Sequence, residues 1–252
     1  MNMFNKIKKR ILLIGEGYHF RDKIHLFLWL VLSVFGVRLW TSILMKNKDG
    51  IFICRKNSTD PWMVSPYGEE ELRKYFVISD GAFIDIGANI GKYSVMIGNS
   101  SKNYEKIIAV EPEKKSYSFL LKNLRLNKIK KIVPINAACF YKNTNIKIYT
   151  ADNANLGAHS IYKIGKKYAE VPALKLDTIV KRNKIKNIDL IKIDVEGAEA
   201  DVFNGALKTL RKYRPKLIFE AWDKAHLNKA IKILKPLRYK IKKISSQDYF
   251  AF

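Results

Sequence analysis

From about residue 80 onward, two hydrophobic patterns alternate along the chain. Short apolar runs at 82–86, 106–110, 131–137, 189–194 and 216–220 read as strands buried on both faces. Between them, apolar residues recur at helical spacing near 91–99, 114–126, 199–211 and 223–234, and Leu174 to Val180 starts a further helix. Strands that alternate with helices run parallel and are joined by right-handed crossovers. The chain closes on a hairpin, 237–244 with 248–252, expected as an antiparallel edge. Residues 140–172 break the rhythm. They hold a strand at 145–150 and the polar turn Asp152-Asn-Ala-Asn155, and read as irregular elsewhere.

Upstream, 42–46 and 51–55 flank Asn47-Lys-Asp-Gly50, the signature of a β-hairpin with an Asp-Gly turn. Asn57 to Pro61 is a turn, and Glu69 to Phe76 a short helix. Earlier still, Leu26 to Val37 is an apolar run broken by Ser33 and Gly36. Lys6, Lys8, Lys9, Arg10, Arg21 and Lys23 precede it; Arg38 and Trp40 follow. The run is shorter than the roughly 20 residues a spanning helix needs. Extending it from Ile24 to Met45 takes in His25 and Arg38. No Ala-x-Ala site follows, so a cleavable signal fits poorly. Three readings stand: a helix packed on the main domain, an interfacial helix on an anionic membrane, or a transmembrane anchor. The expected organisation is a basic and apolar helical segment over 1–45, a hairpin with lead-in helix over 46–79, and an α/β domain over 80–252.

Composition narrows the classes. With 48% hydrophobic residues in 252, the chain can bury a sizeable core, which excludes global disorder. The formal charge of +24 would attract a polyanion, but basic residues are spread throughout and no nucleic-acid motif appears. Nucleic acid is therefore a disfavoured partner. Cys54 and Cys139 are far apart, and the four histidines lack ligand spacing. Neither a disulfide framework nor a metal site is expected. A reduced, cytoplasmic setting follows, with peripheral membrane contact through 1–45 left open.

In open α/β sheets, ligands bind at the carboxyl ends of the strands. The first run enters the turn Asp85-Ile-Gly87-Ala88-Asn89-Ile-Gly91; the others end at Glu111-Pro112, Asn136-Ala137, Asp194-Val-Glu196-Gly197 and Glu220. A dinucleotide fingerprint wants Gly-x-Gly-x-x-Gly, but Asn89 and Lys92 stand at its second and third glycine positions. A crevice this acidic repels phosphates. It suits S-adenosylmethionine, which carries ribose hydroxyls, an ammonium and a sulfonium. Glu111 lies about 20 residues past the turn, where an acid accepts ribose hydroxyls. Asn136 could contact the adenine edge or only cap the strand. Lys192 is either an ion-pair partner or an edge-facing residue.

These residues give the chain a resemblance to the FkbM family of S-adenosylmethionine-dependent methyltransferases. Phe83–Gly91, Ile108-Ala-Val-Glu-Pro112, Leu176-Asp-Thr178, Ile191–Glu199 and Phe219-Glu220 carry it. The Asn57–Asp60 turn with Trp62 looks like the family's lead-in. The resemblance implies a Rossmann-like methyltransferase fold, a mostly parallel sheet with an antiparallel C-terminal hairpin, and O-methylation of a hydroxyl on a sugar, glycan or small natural product. It implies that Asp85, Gly87, Ala88, Asn89 and Gly91 cradle the methionine part and that Glu111, with Pro112, holds the ribose. Asp194 and Glu196 would face the transferred methyl. A hydroxyl acceptor needs a base; Asp194, Glu196 and His159 are the candidates. The segments 1–45 and 140–172 match no part of the family pattern, so acceptor choice is expected to lie there. Two rivals remain. A base methylase would carry an Asn/Asp-Pro-Pro-aromatic at the fourth strand end, where Asp194-Val-Glu-Gly stands. A non-catalytic binding protein would not need the glycine turn and the acids together.

Overall fold

In the computed structural model, residues 3–34, 41–56, 58–67, 69–101, 103–150, 159–160 and 167–252 are described. Two helices open the chain, α1 (Met3–Gly15) and α2 (Phe20–Val34), where one helical segment was expected. The hairpin follows as β1 (Ile43–Asn47) and β2 (Gly50–Cys54), but Asn47 pairs with Gly50, so Lys48 and Asp49 make the two-residue turn where Asp49-Gly50 was expected. The expected turn at 57–61 gives way to a short helix, α3 (Asp60–Val64), with Pro61 in its first turn, where a missing N–H costs nothing. Residues Glu70–Tyr75 form a 3-10 helix.

The main domain runs β3 (Ala82–Ile86), α4 (Lys92–Ser100), β4 (Ile107–Val110), α5 (Lys114–Leu126) and β5 (Ile132–Ile135). A second sheet then intervenes: β6 (Ala138–Cys139), β7 (Thr144–Thr150), β8 (His159–Ser160) and β9 (Tyr168–Leu174). The chain resumes with α6 (Leu176–Arg182), β10 (Ile188–Ile193), α7 (Glu199–Asn204), α8 (Leu207–Tyr213), β11 (Lys216–Glu220), α9 (Lys224–Leu234), β12 (Ile241–Lys243) and β13 (Asp248–Ala251).

The large sheet has the order β12-β13-β11-β10-β3-β4-β5. The five strands β11, β10, β3, β4 and β5 are mutually parallel, and β13 and β12 add the antiparallel edge. Chain order reverses between β3 and β10, which makes that gap the switch point where such sheets bind ligands. Alternate side chains of β3 feed opposite layers. Ile84 and Ile86 pack with Ile179, Phe203, Leu210 and Leu234 from α6–α9, while Phe83 packs with Met96 and Ile97 of α4. The β1–β2 hairpin joins this second layer, with Phe52 and Cys54 against Leu120 and Leu124 of α5. Asn123 of α5 and Asn127, which caps its C-terminus, accept from the amides of Ile53 and Ile51, so the hairpin is bonded as well as packed onto the domain.

Three expectations need correction. Within 140–172 the described residues hold not only the expected strand at 145–150 but most of a second sheet, ordered β6-β9-β7-β8. Residues 168–174 are a strand rather than the approach to a helix, and α6 begins at Leu176. Pro172 obscures that strand in the sequence, since proline cannot donate to a ladder. Finally, the helix expected over 199–211 breaks at Gly205-Ala206. A Cβ at Gly205 would stand 2.1 Å from the Phe140 carbonyl, so this approach to the second sheet needs glycine. The turn at Asp152–Asn155, Asn57, and the residues Gly36, Arg38 and Trp40 lie outside the described residues.

Candidate active site

A cleft opens at the carboxyl ends of β3, β4 and β10. Among the predicted residues, Gly87, Asn89, Glu111, Pro112, Asp194 and Glu196 line it. The turn after β3 comes close to the end of β10. Gly87 has φ +77°, and a Cβ there would fall 1.8 Å from the Asp194 carbonyl oxygen. The amides of Gly87 and Ala88 both donate to the Val110 carbonyl, which ties the turn to β4. Asn89 is left-handed at φ 50° and Gly91 at φ 93°, where Asn and Gly are the residues best tolerated. Gly91 then caps α4 closely enough that a Cβ would meet Leu120 at 2.7 Å.

Glu111 sits at the centre of one wall. Its Oε2 accepts from the Asn89 amide at 2.9 Å and its Oε1 from the Glu113 amide at 2.9 Å. Burial pushes its carboxyl up to about 7 against these two bonds. Each oxygen keeps further accepting capacity. Asn136 donates to the Glu111 and Pro112 carbonyls at 2.9 and 3.0 Å, so its amide braces this turn instead of lining the cleft.

Asp85 does not reach the cleft. It is wholly buried behind the glycine turn and accepts from the Ser94 amide and hydroxyl at 3.1 and 2.8 Å. Ala88 and Gly91 also lie behind the wall, shaping the turn rather than lining it. The His159 backbone pairs with Thr150 in the second sheet; its side chain lies outside the described residues.

The acidic side of the cleft rests on Lys192, whose Nζ donates to Asp194 Oδ2 at 2.9 Å. Burial alone would lower this lysine, but Asp194 and Asp85 outweigh it and hold the ammonium above its ordinary range. Lys192 is therefore an ion-pair partner. Glu196 stands on left-handed backbone at φ 56°, a conformation costly for a residue with a long side chain. Next to it, Glu199 accepts from the Val195 and Gly197 amides, and burial raises it to about 7. Glu220, at the neighbouring strand end, rises to about 8 through burial and then the charges of Asp194 and Glu196.

The sequence reading missed a wall made by the lead-in. Arg55, Thr59, Asp60 and Met63 line the cleft beside Ser116. Arg55 binds Asp60 through two nitrogens, at 2.9 and 2.7 Å, and Ser116 Oγ through a third at 2.7 Å, all buried. The lead-in resemblance pointed at this stretch, but no spacing rule assigned it to the site. Ala138, Cys139 and Ile148 bring the second sheet into the opposite wall.

The donors and acceptors fit S-adenosylmethionine. Asn89 Oδ1 is buried on the cleft wall with no hydrogen-bond partner among the described residues, so it awaits a donor such as an ammonium or hydroxyl. Glu111, on the same wall, offers carboxylate oxygens to hydroxyls. Among the described residues, no group of histidine, cysteine and acidic side chains could hold a metal.

The chain is 26% identical over 190 residues to methyltransferase sdnD of Sordaria araneosa, covering 62% of this chain and 72% of that protein. Its fold matches the crystal structure of methyltransferase FkbM from Methylobacillus flagellatus KT with a TM-score of 0.54 at 16% identity. That match covers 98% of this chain and 59% of the other, so this chain spans well under two thirds of that protein's length. The family model for the methyltransferase FkbM domain matches residues 85–240, more than half of the chain. The chain belongs to the FkbM family of S-adenosylmethionine-dependent methyltransferases.

Proposed function

We propose that this chain methylates a hydroxyl oxygen on a sugar, glycan or small natural product. One observation carries the reading: Asp194 and Glu196 stand together on the wall of the same cleft as Glu111. Such a wall repels phosphate esters and accepts from hydroxyl groups, and it places a base where a hydroxyl must lose its proton. When bound, S-adenosylmethionine supplies an electrophilic methyl group on a sulfonium.

The chain's own residues divide the work. The Gly87 backbone, with the Asn89 side chain, would form the cradle for the methionine part. Glu111 holds the ribose hydroxyls. Lys192 fixes the Asp194 carboxylate so that it orients the acceptor. Glu196 would take the acceptor's O–H proton, freeing the oxygen to receive the methyl group, whose bond to sulfur breaks and leaves a neutral thioether. His159 is a third candidate base, at the second-sheet side. Much of the rate comes from holding acceptor oxygen and methyl in line.

The test is a single-turnover assay with methyl-labelled cofactor on a panel of polyhydroxylated acceptors, read by mass spectrometry. Glu196→Gln and Asp194→Asn are expected to keep cofactor affinity and lose turnover by about 100-fold or more, the range of general-base removal. Unchanged single-turnover rates would take the residue off the catalytic list. Label found on nitrogen instead of oxygen would overturn the hydroxyl assignment.

A further inference from the structure

The N-terminal hairpin of helices has a fixed inner face and an uncovered outer one. On the inner face Leu13 and Leu26 are wholly buried against β1 and β2. Asp22 accepts from the His19 and Leu44 amides at 3.0 and 3.2 Å, and Trp29 donates to the Ser58 carbonyl at 3.1 Å. Glu16 accepts from Asn47 at 3.2 Å. The packed-helix reading therefore describes this face.

The outer face is apolar as well. Phe20 is 80% exposed, Ile11 63% and Phe27 52%, joined by Ile24, Leu28 and Val31. Phe20, Ile24, Phe27 and Val31 recur at helical spacing, so they form a continuous stripe along α2. Lys8, Arg21 and Lys23 are exposed beside it. The acidic residues of this region, Glu16 and Asp22, are both buried. The surface thus offers apolar side chains and cations with no exposed carboxylate from α1 or α2.

We propose that this face docks on an anionic lipid bilayer, with α1 and α2 lying in the interface. Charge decides the occupant. A symmetric contact with a second copy would press the same cations together on chains of formal charge +24. An uncharged apolar partner would leave those cations unmatched. An anionic bilayer takes both, apolar side chains at the acyl boundary and lysine and arginine among the headgroups. The described α2 has 15 residues, which at about 1.5 Å each reach well short of a hydrocarbon core of about 30 Å. Among the described residues no helix is long and apolar enough to cross a membrane. The Trp29–Ser58 bond ties the docked hairpin to the stretch that continues into Thr59 and Asp60 on the cleft wall. Docking would therefore hold the cleft rim near the membrane surface.

Flotation of the full chain with vesicles tests this. Binding is expected to vesicles of phosphatidylcholine with phosphatidylglycerol, and at least ten-fold weaker to phosphatidylcholine alone. Phe20→Ser with Phe27→Ser, and separately Arg21→Glu with Lys23→Glu, should each weaken binding to the anionic vesicles ten-fold or more. Both pairs should keep the wild-type melting temperature and cofactor affinity, which shows that the fold is intact. Failure of the wild-type chain to float with anionic vesicles would overturn the proposal, as would variants that float like wild type. A wild-type dimer that dissociates in the Phe20 and Phe27 variant and that anionic vesicles do not compete away would assign the face to a second copy instead.

Discussion

At the scale of single residues, Glu111 is the residue we propose to hold the cofactor's ribose. It is almost wholly buried, held by two backbone amides, and raised to about 7. Glu111→Ala removes a charge-assisted acceptor and should weaken S-adenosylmethionine binding by about 1–3 kcal/mol. The raised carboxyl adds a pH dependence with a definite sign. Below about 7 Glu111 carries its proton and offers one acceptor fewer; above it, both oxygens accept. Cofactor affinity should rise from pH 6 to pH 8 in the wild type, measured by calorimetry, and stay flat in Glu111→Gln. A flat wild-type profile would remove Glu111 from the hydroxyl-binding role.

Secondary-structure elements explain why the site forms where it does, and how much of that the sequence displayed. Strand ends announce themselves because a buried parallel strand is a run of apolar residues that stops abruptly at a polar one. Asp85, Glu111, Asp194 and Glu220 all stand at or beside such stops. The same logic could not say which of them face the ligand. Asp85 lies within β3, and its side chain follows the pleat toward Ser94, whereas Glu111 and Asp194 lie just past their strands and are free of that alternation. Of the second sheet the sequence displayed β7 alone, as the strand at 145–150; its other strands are short or interrupted by Pro172, and the Arg55–Asp60 wall stayed hidden because it joins residues by tertiary packing alone. Both features can be broken. Asp60→Asn removes the whole carboxylate charge facing the buried Arg55, and one of its two acceptor oxygens, and should cost about 3–5 kcal/mol in chemical denaturation. Gly87→Ala places a methyl on the Asp194 carbonyl and should lower the melting temperature markedly or prevent folding, since a left-handed backbone and a clash combine. Gly15→Ala meets nothing within 4 Å and serves as the neutral control.

The whole molecule carries an acidic cleft inside a strongly basic chain. Four glutamates are raised by burial: Glu16, Glu111 and Glu199 to about 7, and Glu220 to about 8. In the unfolded chain they titrate near 4.5, the ordinary value. Between these limits the folded protein binds more protons than the unfolded one, so its stability falls as pH rises. The cofactor-free protein should melt at a higher temperature at pH 5 than at pH 8, with the decline spread across that window. A melting temperature that climbs from pH 5 to 8 would contradict the burial of these groups. The net charge was legible from composition, but its arrangement was not: folding gathers Glu111, Asp194, Glu196 and Glu220 at the carboxyl ends of neighbouring strands of a basic chain.

The account stands on Glu111, the glycine turn and the Asp194–Glu196 pair forming one cofactor and acceptor cleft. Isothermal titration of S-adenosylmethionine into the folded wild type, Glu111→Ala and Asp194→Asn measures that directly. One-to-one binding by the wild type, weakened by about 1–3 kcal/mol in Glu111→Ala and retained in Asp194→Asn, is the expected result. Wild-type affinity in a folded Glu111→Ala, or no binding by the wild type at all, would contradict it.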